Sequence, residues 1–167
     1  DIIEKFPKNK TALNGKKYCV KKVQDQSSSK NKKLRPLLVY IKRQIIEGKS
    51  NEVVAKASEV TSANPFSSEL FNLIAVAHAK EKIFDQAIVY YKKSLRLNPN
   101  RSSTYNNLGS AYNAIGDLEK AISQYKTAIA LDPKFAIAYI NLGKAYEKLR
   151  RLTEAKDCLE KAISLDA

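Results

Sequence analysis

Apolar residues recur along most of this chain at helical spacing, in stripes separated by short polar breaks. Between Tyr105 and Pro133, Tyr105, Leu108 and Tyr112 fall on one face of a helix. Gly116-Asp117 interrupts that stripe as a helix–helix turn would. A second stripe follows in Leu118, Ala121, Ile122, Tyr125, Ala128 and Ile129. It closes at Asp132-Pro133, because the residue before a proline is pushed out of the helical region. The pattern predicts two antiparallel helices, with Gly109 small enough to let the second approach the first closely. Such a hairpin cannot bury both of its faces alone and needs neighbours.

The neighbours recur with a period of 34 residues. One period on, Tyr139, Leu142, Gly143, Tyr146, Ala155, Leu159 and Ala162 fall in register. One period back, Phe71, Ile74, Ala75, His78, Ala87, Tyr91, Ser94 and Pro99 do the same. A further step back gives a degenerate copy, Leu37, Tyr40, Ile41, Gln44, Val53, Ala57, Val60 and Pro65. The helices are expected over 34–47 and 51–63, from a Ser67 or Ser68 cap to about Lys82, over 84–97, over 102–115 with Ser102 or Ser103 as cap, and over 118–131, 136–149 and 152–165.

An aromatic residue, then Leu-Gly, Tyr, Ala, a second aromatic and a closing Pro at this period resemble the tetratricopeptide repeat. The resemblance implies an all-α, right-handed superhelix of antiparallel helix hairpins. The repeats are 34–67, 68–101, 102–135 and 136–167, behind a basic lead-in over 1–33. Pro7 marks a worn repeat seam there, one helix is expected near 11–23, and QDQSSSKNKK reads as a linker.

In this family the first helix of each hairpin lines a concave groove that takes an extended peptide or a partner helix. With the core stripe assigned, the residues left to face the groove are Asn72, Val76, Ala79 and Lys80, then Asn106, Asn107, Ser110 and Asn113, then Ile140, Asn141, Lys144 and Lys148, with Leu38 and Lys42 on the degenerate copy. The binding set is Asn72, Val76, Asn106, Asn107, Ser110, Asn113, Asn141, Lys144 and Lys148. An asparagine amide both donates and accepts, so it can hold a peptide unit whatever the side chain. Asn107 and Asn141 are one period apart and look like the asparagine ladder of O-linked N-acetylglucosamine transferases. The ladder is partial, because Leu73 and Val39 hold the earlier rungs; the plainer reading is that Asn is common at this place in such repeats. A carboxylate clamp for an acidic C-terminal tail does not match, since Leu38 and Asn72 stand where it wants other partners.

Charge narrows the picture. The chain carries a net +13, of which +7 lies in residues 1–33, where ten Lys face Asp1, Glu4 and Asp25. The repeats are only mildly basic, so total charge does not argue for specific nucleic-acid binding. Tyr18 alone interleaves the basic lead-in, which reads as a solvated segment, although it could bind nucleic acid or an anionic membrane. No 18-residue apolar run spans a membrane. Cys19 and Cys158 lie too far apart in sequence to suggest a disulfide framework, so a reducing, cytoplasmic setting is the default.

No enzyme is expected. His78, the single histidine, stands where the sister copies have Tyr112 and Tyr146 and reads as a packed spacer. Neither a nucleophile–base pair, a phosphate loop nor a metal set is present, and no cofactor is implied. The chain opens on Asp1, lacks Met, and stops without a polar capping helix after Leu159, Ala162, Ile163 and Leu165. This fits a piece of a longer, bacterial protein, such as the repeat region ahead of a glycosyltransferase or sulfotransferase domain, or an array that self-associates through its last helix.

Overall fold

The computed structural model describes residues 34–166, all of whose regular elements are α-helices. The helix expected near 11–23, the linker, the basic segments and Cys19 lie outside the described residues. Two compact units divide at Tyr40/Ile41, and residues 34–40, the start of helix α1 (34–46), are what is described of the first. Within the second unit follow α2 (Ser50–Ala55), α3 (Ala57–Ala63), α4 (Ser68–Lys80), α5 (Phe84–Leu97), α6 (Ser102–Ala114), α7 (Leu118–Leu131), α8 (Ala136–Lys148) and α9 (Leu152–Asp166).

The bounds of α5 and α7 are those the apolar stripes and the Asn98-Pro99 and Asp132-Pro133 pairs predict. Asn98 (φ −143°, ψ 94°) and Asp132 (φ −140°, ψ 90°) are extended, as a residue before proline must be. Ser67 caps α4, its Oγ accepting from the Leu70 N–H at 3.2 Å. Two expectations need correction. Ser102 and Ser103 lie inside α6, because the chain turns one residue earlier at Arg101 (φ −112°, ψ 92°), which offers no side-chain cap. The helix expected over 51–63 is broken at Lys56, just behind the β-branched pair Val53-Val54, where helix propensity is low.

Helices pair as hairpins, α4 with α5, α6 with α7 and α8 with α9, and each second helix packs on the first helix of the next repeat. First helices of successive repeats also touch, α4 with α6 and α6 with α8, while among the described helices no second helix touches another. First helices therefore line the inside of the curve and second helices the outside.

Inside each hairpin an aromatic or aliphatic residue of the second helix sits on a small residue of the first. A Cβ placed on Gly109 would lie 2.7 Å from Tyr125 Cε1 and 3.1 Å from the Ala121 carbonyl oxygen. At Gly143 the neighbour is Leu159, whose Cγ would lie 3.1 Å away. Tyr91, Tyr112, Tyr125 and Tyr146 belong to one continuous core with Leu108, Leu142 and the alanines between them. Lys92 lies over the Tyr112 ring at 5.6 Å and Lys126, one period on, over the Tyr146 ring at 5.8 Å, so each tyrosine is roofed by the preceding second helix. His78 is a packed spacer: it is 5% exposed, its Nδ1 lies 2.9 Å from the Ile74 carbonyl oxygen, and its ring is 5.1 Å from that of Tyr90.

The turn within each hairpin needs one left-handed residue. Gly48 (φ +79°), Lys82 (+60°), Gly116 (+84°) and Arg150 (+59°) occupy it at intervals of one period. Two turns use the residue that adopts this conformation freely, and two strain a long side chain into it.

Gly109→Leu should lower the unfolding free energy by about 1–3 kcal/mol, since Tyr125 is 1% exposed and cannot swing away. A denaturant titration that matches the parent would disprove the hairpin contact. Lys82→Gly should raise the melting temperature slightly, because relief of roughly 1–2 kcal/mol of left-handed strain outweighs the added chain entropy of glycine, whereas Gly116→Lys should lower it. Calorimetry of both variants checks the pair of opposite signs.

Candidate functional site

The inner face is where the expected binding residues lie, and the structure sorts them into three groups. Asn106 corrects the sequence reading. It is only 6% exposed, because its side chain is folded into the contact between α6 and α8. There its Oδ1 accepts from Asn141 Nδ2 at 2.9 Å. Asn72 Oδ1 accepts from Thr104 Oγ1 at 3.1 Å, and Asn113 Oδ1 accepts from Lys148 Nζ at 2.8 Å. These polar side chains tie one repeat to the next. Lys144 is exposed and Asn141 half-buried.

Lys80 makes the same kind of link, its Nζ donating to the Ile45 carbonyl at 3.1 Å. The three links of Lys80, Asn141 and Lys148 each reach back 35 residues, which is one period and one position. On the same face Lys42 pairs with Glu69 across adjacent first helices at 2.6 Å.

The third group surrounds a recess of about 270 Å³ between the second and third repeats. Val76, Ala79 and Lys80 of α4, Phe84 and Tyr91 of α5, and Asn107, Ser110 and Ala111 of α6 line it. It brings together Val76, Asn107 and Ser110 of the expected set, but neither Asn141, Lys144 nor Lys148. Tyr91 sits on the core stripe, which is why sequence reasoning counted it as packing alone, and neither Phe84 nor Ala111 was singled out from the sequence. The available signal was position 76, where valine replaces the serine found at 110.

That substitution changes the chemistry. Tyr125 donates its hydroxyl to Ser110 Oγ at 3.3 Å, and Ser110 Oγ donates to the Asn106 carbonyl at 3.1 Å. Burial raises the Tyr125 phenol and the Ser110 bond draws it partway back. Tyr91, one period earlier, faces Val76 and finds no such partner. It is 2% exposed, and burial pushes its phenol well above the ordinary range with nothing opposing. No residue among those described bonds the Tyr91 hydroxyl.

Asn107 is open for a parallel reason. Its counterpart Asn141 bonds Asn106. The residue that Asn107 would bond is Asn72, whose oxygen is already occupied by the fully buried Thr104. In the next repeat Ala138 replaces Thr104 and leaves Asn106 available. No Asp or Glu lines the recess, and Lys80 supplies its one charge.

No group of three or more His, Cys, Asp or Glu residues among those described could hold a metal, and no described helix is long and apolar enough to cross a membrane. Burial first, then the Asp157 carboxylate, holds the half-buried Cys158 thiol above its usual range, so it is a poor nucleophile. At the far end of the unit α9 exposes Leu152, Leu159 and Ile163.

Hairpins stacked at one period, with their first helices turned inward, define a protein–protein interaction scaffold. Family comparison makes the class specific: "Tetratricopeptide repeat" families match residues 68–101, 90–123 and 136–167, and a "TPR repeat" family matches 110–149. The chain belongs to the tetratricopeptide-repeat family, and its fold is the right-handed solenoid of that family. Among solved structures, MamA aligns with a TM-score of 0.74 at 26% identity, over 78% of this chain and 76% of its own. The Arabidopsis OM64 TPR domain aligns with a TM-score of 0.58 at 28% identity, over 59% of this chain and 81% of its own. The second TPR of Spaghetti (RPAP3), bound to the HSP90 peptide SRMEEVD, aligns with a TM-score of 0.57 at 26% identity, over 59% and 91%. No curated protein sequence matches the chain.

A double-mutant cycle of Asn106→Ala and Asn141→Ala should return a coupling of about 0.5–1.5 kcal/mol, the worth of one neutral hydrogen bond. Additive losses in chemical denaturation would mean that the two side chains do not act together.

Proposed function

We propose that this scaffold holds an extended peptide segment of a partner protein along the inner face of its first helices. The observation that carries the reading is the recess between the second and third repeats, open on that face, carbon-walled and edged by Asn107 and Lys80. A site of this kind, mostly apolar with a few placed polar groups, is what ligand binding requires. Asn72, Val76, Ser110, Asn113, Asn141, Lys144 and Lys148 border the path of the segment, with Asn106 holding Asn141 in place from behind. The RPAP3 domain with its HSP90 peptide supports the reading by precedent, as a similar fold bound to a peptide.

Selection from a phage-displayed library of random heptapeptides on the purified full chain tests it. The parent should enrich a common motif, and Asn107→Arg, which plugs the face with a long side chain, should lose it. Failure to enrich any motif, or equal binding by the plugged variant, would refute a peptide-holding inner face.

A further inference from the structure

Around the boundary between the third and fourth repeats two inner-face polar groups are tied off within the protein, and the boundary between the second and third lacks both ties. At the next boundary Tyr125 is bonded to Ser110, and Asn141 to Asn106. Here Val76 stands where Ser110 would, and Thr104 has taken the oxygen that Asn107 would use. Both unspent groups, the Tyr91 hydroxyl and the Asn107 amide, belong to residues that line the recess. The Tyr91 ring is buried, but its hydroxyl has no partner among the described residues and, unlike Ser50 Oγ, is not fully enclosed, so a group entering the recess can meet it.

The rest of the lining states what that something is. Val76, Ala79, Phe84 and Ala111 present carbon, and about 270 Å³ exceeds the roughly 150 Å³ that accommodates benzene in an apolar cavity. Lys80 spends one of its three N–H donors on Ile45 and keeps two. With no carboxylate in the lining, the exposed Lys80 ammonium is open to an acidic group of the ligand.

We propose that the partner segment is read chiefly at this one boundary. It inserts a bulky apolar side chain into the recess, its main chain bonds to the Asn107 amide and the Tyr91 hydroxyl, and an Asp or Glu beside the anchor pairs with Lys80. Thr104 and Val76 are positioning residues: they touch no ligand polar group, but they keep Asn107 and Tyr91 unspent. The inference rests on the peptide-holding reading above and narrows it to one pocket and one ligand chemistry.

The test gives this boundary the pairing of its neighbour. Val76→Ser offers Tyr91 the partner that Ser110 offers Tyr125, and Thr104→Ala frees Asn72 as Ala138 leaves Asn106 free. The double variant of the full chain should melt within a few degrees of the parent, because both substitutions copy the next repeat. A synthetic peptide carrying the motif enriched from the heptapeptide library is then followed by fluorescence anisotropy. Its affinity should fall roughly tenfold or more, the worth of two hydrogen bonds. Asn107→Ala, which breaks no side-chain hydrogen bond among the described residues, should cost several-fold, and Asn141→Ala less than about twofold, since Asn141 is already committed. Replacing the apolar anchor by Ser, or the adjacent acid by its amide, should each weaken binding severalfold.

A motif that the parent enriches and Asn107→Arg loses, yet that binds the double variant or Asn107→Ala undiminished, would overturn the single-boundary inference and leave the inner-face reading standing. So would an enriched motif lacking an apolar residue beside an acid. Absence of any enriched motif, or one indifferent to Asn107→Arg, would overturn both.

Discussion

The close seat of a second-helix side chain on a small first-helix residue is the contact on which this array depends. Tyr125 lies against Gly109 so tightly that even a methyl group would press on its ring. That approach sets the spacing of the two helices, and the spacing decides which residues meet the next hairpin. Where the small residue is Ala75 instead of glycine, the partner is again a tyrosine, Tyr91, and the second repeat accommodates the methyl within the same architecture. The recess forms at the junction of that repeat with the third, so packing and the candidate site share a cause in the helix spacing.

A solenoid of this kind gains stability from nearest neighbours, and the polar residues of the inner face take part in that gain. Thr104 with Asn72, Asn141 with Asn106 and Lys148 with Asn113 each join adjacent repeats. The inner face is thus partly a seam and only partly a surface for partners. Outer-face lysines add smaller terms by covering tyrosine rings, at about 0.5–1 kcal/mol for an exposed cation–π pair.

The fold was legible in the sequence because its signals are local and repeated. Apolar stripes at helical spacing, a left-handed turn position and a pre-proline stop set α5 and α7 to the residue. Helix starts were less legible: serine is a good cap in general, yet the chain turns at Arg101 and draws Ser102 into the helix. The candidate site was half legible. Val76, Asn107 and Ser110 follow from asking which faces of the first helices the core stripe leaves over. Asn106 does not, since its burial depends on Asn141 reaching back from the next repeat. Tyr91 was hidden by its own regularity: it sits where the next two copies have the packed Tyr125 and Leu159, and only the residue opposite makes it different.

That last point separates a defect from a site. Ser50 and Tyr91 both carry a hydroxyl with no hydrogen-bond partner among the described residues, but only the Ser50 Oγ is fully enclosed. Ser50 replaces the Phe84, Leu118 and Leu152 of the other copies; its Oγ is fully enclosed, and the residue is 1% exposed. No ligand can reach it, so the cost of its lost hydration is borne by the fold. Tyr91 departs in its partner instead, and it lines a recess large enough for a side chain. A hydroxyl at the wall of an open recess is met by water while the site is empty and by a ligand when it is filled, so it offers a bond to a partner without a standing cost to the fold. In a repeat protein, where regular positions satisfy one another by symmetry, the informative residues are the ones that break the symmetry next to open space.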